Sequence, residues 1–216
     1  MELTPEEIRV LGCLVEKEAT TPDNYPLSSN ALVNACNQTT NRDPVVDYSE
    51  REVDRVMISL REQGLARTVR GDGQRVHKHK HVIGDAIGID RRALAVLSVL
   101  MLRGAQTAAE LRTRTERYGA DLDGDNAERT LRDLSERDTP LTRMLDRRPG
   151  EREARWVHLL GGEALAAEIA AAPSPTSASA VRSSARSDEL AELRGRVDEL
   201  ERRLATLLER LGETVD

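Results

Sequence analysis

Phenylalanine is absent, and the only other aromatic side chains are Trp156, Tyr25, Tyr48 and Tyr118. A 216-residue chain this poor in rings must build its cores from Leu, Val, Ala and Ile. It also lacks the stacking platforms on which single-stranded nucleic acid is held. Cysteine is almost as scarce. Cys13 and Cys36 show no CxxC spacing and fall on apolar helical faces. They are expected as buried free thiols rather than as a disulfide or metal ligands. No apolar run reaches the roughly 18 residues of a membrane span, and no signal peptide is recognisable, so a protein of the reducing cytoplasm with no membrane partner is expected. A Gly-rich phosphate loop and a nucleophile–base constellation are both missing, which points away from an enzyme and from any cofactor.

Charge is not lacking, but it is uneven. The formal net charge of -6 argues against a nonspecific polyanion binder. Lys and Arg number 11 against 15 Asp and Glu over residues 1–90, 14 against 12 over 91–160, and 7 against 11 over 161–216. The middle segment is the most compatible with DNA.

What the chain does have is helix punctuation. Thr4-Pro5-Glu6-Glu7 reads as a helix start, and Ile8, Leu11, Leu14 and Val15 give that helix an apolar face to near Glu18. Ser28 caps a second helix over 29–37. Ser49 and Glu52 form a capping box for a third, over 49–63, whose stripe is Val53, Val56, Met57 and Leu60. Gly64 supplies its left-handed end. A strand over 65–69, a Gly-Asp-Gly turn and a returning strand over 75–82 complete the unit. Helix, turn, helix and a two-stranded wing make a winged helix. Its second motif helix, 49–63, is the one that enters a major groove in DNA-binding relatives of this architecture. Arg51, Arg55 and Arg61 lie on its outer face, but so do Glu50, Asp54 and Glu62. Arg67, Arg70, Arg75, Lys78 and Lys80 on the wing are candidate phosphate contacts, although edge strands also carry Lys against aggregation. His77, His79 and His81 share one face of an extended strand. No fourth ligand is positioned, so a solvated wing edge is expected and no metal.

The pattern then repeats. Asp90 caps an apolar helix over 94–102, and Thr107 and Glu110 box the start of another running to about Tyr118. The acidic loop 121–126 lacks the Glu that would complete a calcium loop. A helix over 126–137 buries Ala127, Leu131 and Leu134 and carries Arg129 and Arg132. Strands over 141–145 and 154–160 flank a turn holding Arg147 and Arg148. The expected fold is therefore mainly α with small β wings: two tandem winged helices, 1–88 and 89–162, then a short helix and disordered linker, 163–187, and a coiled-coil helix, 188–212.

In that last stretch Leu190, Leu193, Val197, Leu200, Leu204, Leu207 and Leu211 are spaced three and four apart without a break. An unbroken heptad seam predicts a two-stranded parallel coil, hence a homodimer. The alternative is a single amphipathic helix folded back on the domains.

The run from Thr21 to Ser28, with Ala35-Cys36-Asn37-Gln38 and Asn41-Arg42-Asp43-Pro44-Val45, resembles the signature of the YceH family of uncharacterised bacterial proteins. Residues 148–160 are similar too, and the resemblance covers about 1–162. It implies the tandem winged-helix fold and no established activity. Thr39-Thr40 stands where the family usually has Lys-Ser, which removes a cation from this loop. Asn37, Gln38, Asn41 and Arg42 can cap helix ends and tie the turn together, or some can face a partner, protein or DNA.

The functional expectation is a dimeric protein that binds duplex DNA, a transcriptional regulator. The alternative is a protein–protein scaffold in the manner of the bacterial segregation protein ScpB, because fold does not dictate function. DNA binding requires that Arg129, Arg132, Arg147, Arg148 and the first wing's cations form one positive surface.

Overall fold

Three helices of the N-terminal half start where a side chain can satisfy the backbone donors that a first turn leaves open. In the computed structural model, which describes residues 2–70, 77–120, 122 and 125–172, α1 is Pro5–Thr20, α2 is Ser29–Cys36 and α3 is Glu50–Glu62. Thr4 Oγ1 accepts from the Glu7 N–H at 3.3 Å, while Glu7 Oε2 accepts from the Thr4 N–H at 2.8 Å. Ser49 and Glu52 repeat this box on α3, and Ser28 caps α2. Gly64 closes α3 at φ 72, a left-handed conformation that most L side chains avoid. Strands β2 (Ala66–Val69) and β3 (Lys78–His81) follow as an antiparallel pair. A two-residue strand, β1 (Leu27–Ser28), adds to the other edge of β3. No period can show in two residues, and this strand was not expected.

The same order recurs. A short α4 (Ile83–Ile87) leads to α5 (Arg91–Arg103), capped by Asp90, and α6 (Ala108–Thr115), boxed by Thr107 and Glu110. The expected helix to Tyr118 ends early, in a 3-10 turn over Glu116–Tyr118. Then come α7 (Asn126–Ser135), β4 (Thr142–Met144), β5 (Trp156–His158) and α8 (Gly162–Ala171). The chain is thus mainly helical with small antiparallel sheets, an architecture consistent with winged helices. Among the described residues no helix is long and apolar enough to cross a membrane. The 71–76 turn with Arg75, most of the acidic loop, the linker and the heptad residues Leu190 to Leu211 lie outside the described residues.

Residues Met1–Ala172 form one compact unit. Its centre is α5, on which every residue from Ala93 to Leu102 is buried. A helix buried on all sides needs cover on all sides, and α1 supplies one of them. The two helices come close at Gly12: a Cβ there would stand 3.0 Å from Leu102 Cδ2 and 3.2 Å from Met101 Cβ. The Ser98 hydroxyl, buried between them, donates to the Gly12 carbonyl at 3.2 Å and meets the Tyr118 hydroxyl at 3.1 Å. The Leu3 N–H donates to the Leu160 carbonyl at 2.8 Å, so the N-terminus is also tied to the second half. Gly12→Leu is expected to force the helices apart and lower stability by about 3 kcal/mol, read by thermal unfolding of the full chain.

Candidate nucleic-acid interface

The buried stripe of α3, Val53, Met57 and Leu60, faces the core, and the opposite side is open. Arg51, Arg55 and Arg61 are exposed on that open side and form no ion pair among the described residues. Their acidic neighbours are partly committed. Glu52 is turned back on the Ser49 cap, which holds its carboxyl below the usual range. Asp54 accepts the Ser29 hydroxyl at 2.7 Å. Ile58 sits in the middle of the same face, 52% exposed.

Beside α3 the sheet alternates. Ala66, His79 and His81 are buried, while on the alternate positions Arg67 is exposed and Lys78 and Lys80 are half-buried. The register places Arg67 directly opposite Lys80. Like charges directly opposite on one face of a sheet are destabilising. Arg70 at the end of β2 is exposed and hydrogen-bonds the His77 ring, Nη2 to Nε2, at 3.1 Å. Between α3 and the sheet runs an open groove of about 740 Å³, lined among others by Ser29, Ile58, Arg61, Arg70 and His77.

The three histidines are not a solvated edge, which corrects the expectation. His77 alone is exposed. His79 is held by Ser29 Oγ at 3.1 Å on Nε2 and Thr68 Oγ1 at 3.2 Å on Nδ1. Burial pushes its pKa below the ordinary value. His81 Nε2 lies 2.7 Å from Glu18 Oε2, and its backbone N–H donates to the Tyr25 hydroxyl. The Glu18 carboxyl is held low by that hydrogen bond, against its own desolvation and with help from the charges of His81, Lys80 and Arg91. Among the described residues no group of three or more His, Cys, Asp and Glu could hold a metal ion.

The loop that could either tie its own turn together or face a partner folds inward. Arg42 is 4% exposed. Its guanidinium grips Glu16, itself 1% exposed, at 2.6 Å and 3.2 Å, and also reaches the Ala35 and Asn41 carbonyls and Gln38 Oε1. Asn37 closes the loop by a pair of hydrogen bonds with the Tyr48 backbone, both 2.8 Å. Asn41, at φ 59, accepts from Arg103 on α5, and the Asp43 N–H donates to the Leu102 carbonyl at 2.8 Å. Arg42 is therefore not partner-facing. Asn37, Gln38 and Asn41 are half-buried and engaged, so the side chains tie the turn together and clamp it against α1 and α5. Arg117, on the 3-10 turn of the second half, adds a contact to Glu16 from the solvent side.

Sequence reasoning missed Glu16, Arg9 and Arg117. A charge on an otherwise apolar helix face was the only available signal for Glu16. Burial raises the Glu16 pKa, but the hydrogen bond and charge of Arg42, with the charge of Arg117, win and hold the carboxyl low. Arg9 is buried too, donating to the Cys36 and Pro44 carbonyls. Cys13 and Cys36 are buried free thiols beside it, and the Cys13 thiol donates to the Ala35 carbonyl at 3.3 Å.

In the second half the cations are more committed. Arg129 and Arg147 are exposed, whereas exposed Arg132 pairs with Glu128 at 2.6 Å. Arg148 is turned to the last carbonyls of α8, those of Ala170 and Ala172. A cation there suits the negative helix end, and it is a structural use rather than a phosphate contact. Arg129 lines a cleft of about 330 Å³ with Arg92, Arg137, Asp90 and Asp133.

The chain carrying this arrangement matches a family known from sequence. Residues 3–151 match the family described as "Protein of unknown function, DUF480", and the chain belongs to it. It is similar to the UPF0502 proteins of Leptothrix cholodnii (45% identical over 194 residues, 89% of this chain and 85% of that one) and Geotalea uraniireducens (46% over 200 residues, 93% and 90%). A Shewanella relative, also called a UPF0502 protein, is 42% identical over 221 residues, covering 100% of this chain and 98% of its own. The YceH resemblance is to this same family.

Proposed function

We propose that the chain is a tandem winged-helix protein that binds duplex DNA through α3 and the β2–β3 wing, as a homodimeric transcriptional regulator joined by its heptad tail. The observation that carries this reading is the Arg67–Lys80 pair, two cations set face to face across the sheet beside an exposed helix bearing Arg51 and Arg55. Such a pair costs stability in the free protein, and a polyanion across it would turn the repulsion into attraction. The first half alone carries this reading: Arg132 and Arg148 of the second are engaged within the chain, so the single positive surface spanning both halves, expected from the sequence, is no longer a requirement.

Fluorescence anisotropy with duplex DNA tests it. Arg67→Ala with Lys80→Ala is expected to weaken binding to all sequences alike and to lower the slope of log K against log salt by about 2. The same double variant should gain about 0.5 kcal/mol of stability from the lost repulsion. Arg51→Ala with Arg55→Ala is expected to cost discrimination, about 1–3 kcal/mol per base contact removed. Saturation should come at two chains per specific duplex. Wild-type binding by both double variants would sink the reading.

Ile58 favours a second reading, a protein-docking module. A large apolar side chain half exposed among charges suits a protein surface better than a phosphate backbone. Under that reading Ile58→Glu abolishes capture of a partner and leaves any DNA affinity no weaker than that of a one-charge change.

A further inference from the structure

A crevice of about 380 Å³ opens between α1 and α5. Val15, Leu94 and Ala95, all buried, form its floor, and Ala19 forms part of its wall. Two opposite charges stand among its lining residues. Arg91 is steadied by donating to the Tyr118 carbonyl at 2.9 Å, and Glu18 is steadied by His81 Nε2 at 2.7 Å. Each keeps further hydrogen-bonding capacity: Glu18 Oε1 and the other Arg91 N–H groups have no hydrogen-bond partner among the described residues. Side chains anchored from behind are pre-positioned, so a ligand meeting them loses less to ordering.

An apolar floor bordered by one fixed cation and one fixed anion matches few small molecules. A carboxylic acid would satisfy Arg91 and leave Glu18 facing it. An amine would do the reverse. A hydrocarbon would leave Glu18 Oε1 and the remaining Arg91 N–H groups without a hydrogen-bond partner. The volume lies within the range of small-molecule sites, about 300–1,000 Å³. We infer that the α1–α5 crevice binds a small apolar α-amino acid as a zwitterion, its carboxylate on Arg91, its ammonium on Glu18 and its side chain on Val15, Leu94 and Ala95. Because α1 and α5 belong to different halves of the compact unit, the ligand bridges them. This site stands apart from the DNA reading and does not depend on it.

The test is calorimetry and thermal unfolding of the full chain, without DNA, using L-leucine and L-phenylalanine at millimolar concentration. Saturable binding with a rise in Tm is expected. The analogues 4-methylpentanoate, which lacks the ammonium, and 3-methylbutylamine, which lacks the carboxylate, should bind at least tenfold more weakly. Arg91→Gln should weaken the amino acid about tenfold, with a fall of about 2–4 °C in the ligand-free Tm from the lost bond to the Tyr118 carbonyl. Ala19→Trp should plug the crevice and abolish binding. The inference is overturned if neither amino acid binds saturably, if either analogue matches the amino acid, or if Arg91→Gln binds like the wild type. Should Ala19→Trp fail to fold, the analogue series and Arg91→Gln decide the matter alone.

Discussion

Glu16→Ala is expected to lower the stability of the chain by about 3–5 kcal/mol, the cost of stranding a buried cation. The site explains the size. Arg42 is 4% exposed and would be left without its carboxylate, far from water that could solvate it. Arg117 adds little to this figure, because its side chain is 40% exposed and exposed ion pairs contribute about 0–1 kcal/mol. Arg117→Ala should accordingly be mild. For a unit of this size the Glu16 loss corresponds to a fall in Tm of about 10 °C. The informative comparison is the double replacement Glu16→Leu with Arg42→Met. Removing both charges strands no ion, although the Ala35 and Asn41 carbonyls lose their Arg42 donor, so the double variant should be clearly more stable than the two single losses added together predict. A strictly additive double-mutant cycle would show that Glu16 and Arg42 do not act as a unit.

Acidification should cost about 3 kcal/mol through His158 alone. The ring lies on β5, 2% exposed, and its Nδ1 has no partner among the described residues. Burial therefore pushes its pKa down from 6.5 to about 4. Between those values the unfolded chain binds a proton that the folded chain refuses, so stability rises with pH there and is lost as pH falls from about 6.5 to about 4. Below about 4 both states are protonated and the loss is complete. The difference of roughly 2.5 units converts to about 3 kcal/mol at 1.36 kcal/mol per unit. Glu16 adds a loss of the same sign at lower pH: its folded pKa is depressed, so its contribution is present above the ordinary carboxylate range and fades as pH falls through the depressed value. Denaturant titrations from pH 7 to pH 4 on wild type and His158→Gln measure the first effect. The wild-type curve should drop across this window, and the variant's should be flatter. Parallel curves would mean that His158 is protonated in the folded chain.

What could be read in advance was local. Thr4, Ser28, Ser49, Asp90 and Thr107 all cap the helices assigned to them, because a cap joins a side chain to a backbone N–H within three residues. The apolar stripe of α3 survived for the same reason, since one turn of helix sets it. Long-range partnerships were not legible. Glu16 and Arg42 are 26 residues apart, and nothing near either announces the other. Arg42 stood in a run of amides that reads as a surface loop. The wing shows a subtler failure. Lys and His alternate over Lys78–His81 with the period of a strand, but both residue types are polar, so the pattern does not say which is inside. Burial of His79 and His81 is decided by Ser29, Thr68 and Glu18, whose approach belongs to the fold. The outward face that results carries Arg67 opposite Lys80, and that register requires the paired strands.

The measurement that tests the central claim most directly is anisotropy of the full-length chain with random and genomic duplex DNA across a salt series. If cations on α3 and the wing meet phosphates, log K falls linearly with log salt, by about 0.9 for each phosphate contacted, and genomic fragments outcompete random duplex. Absence of binding at low salt, or binding indifferent to salt, would contradict the account and leave the exposed face of α3 to a protein partner.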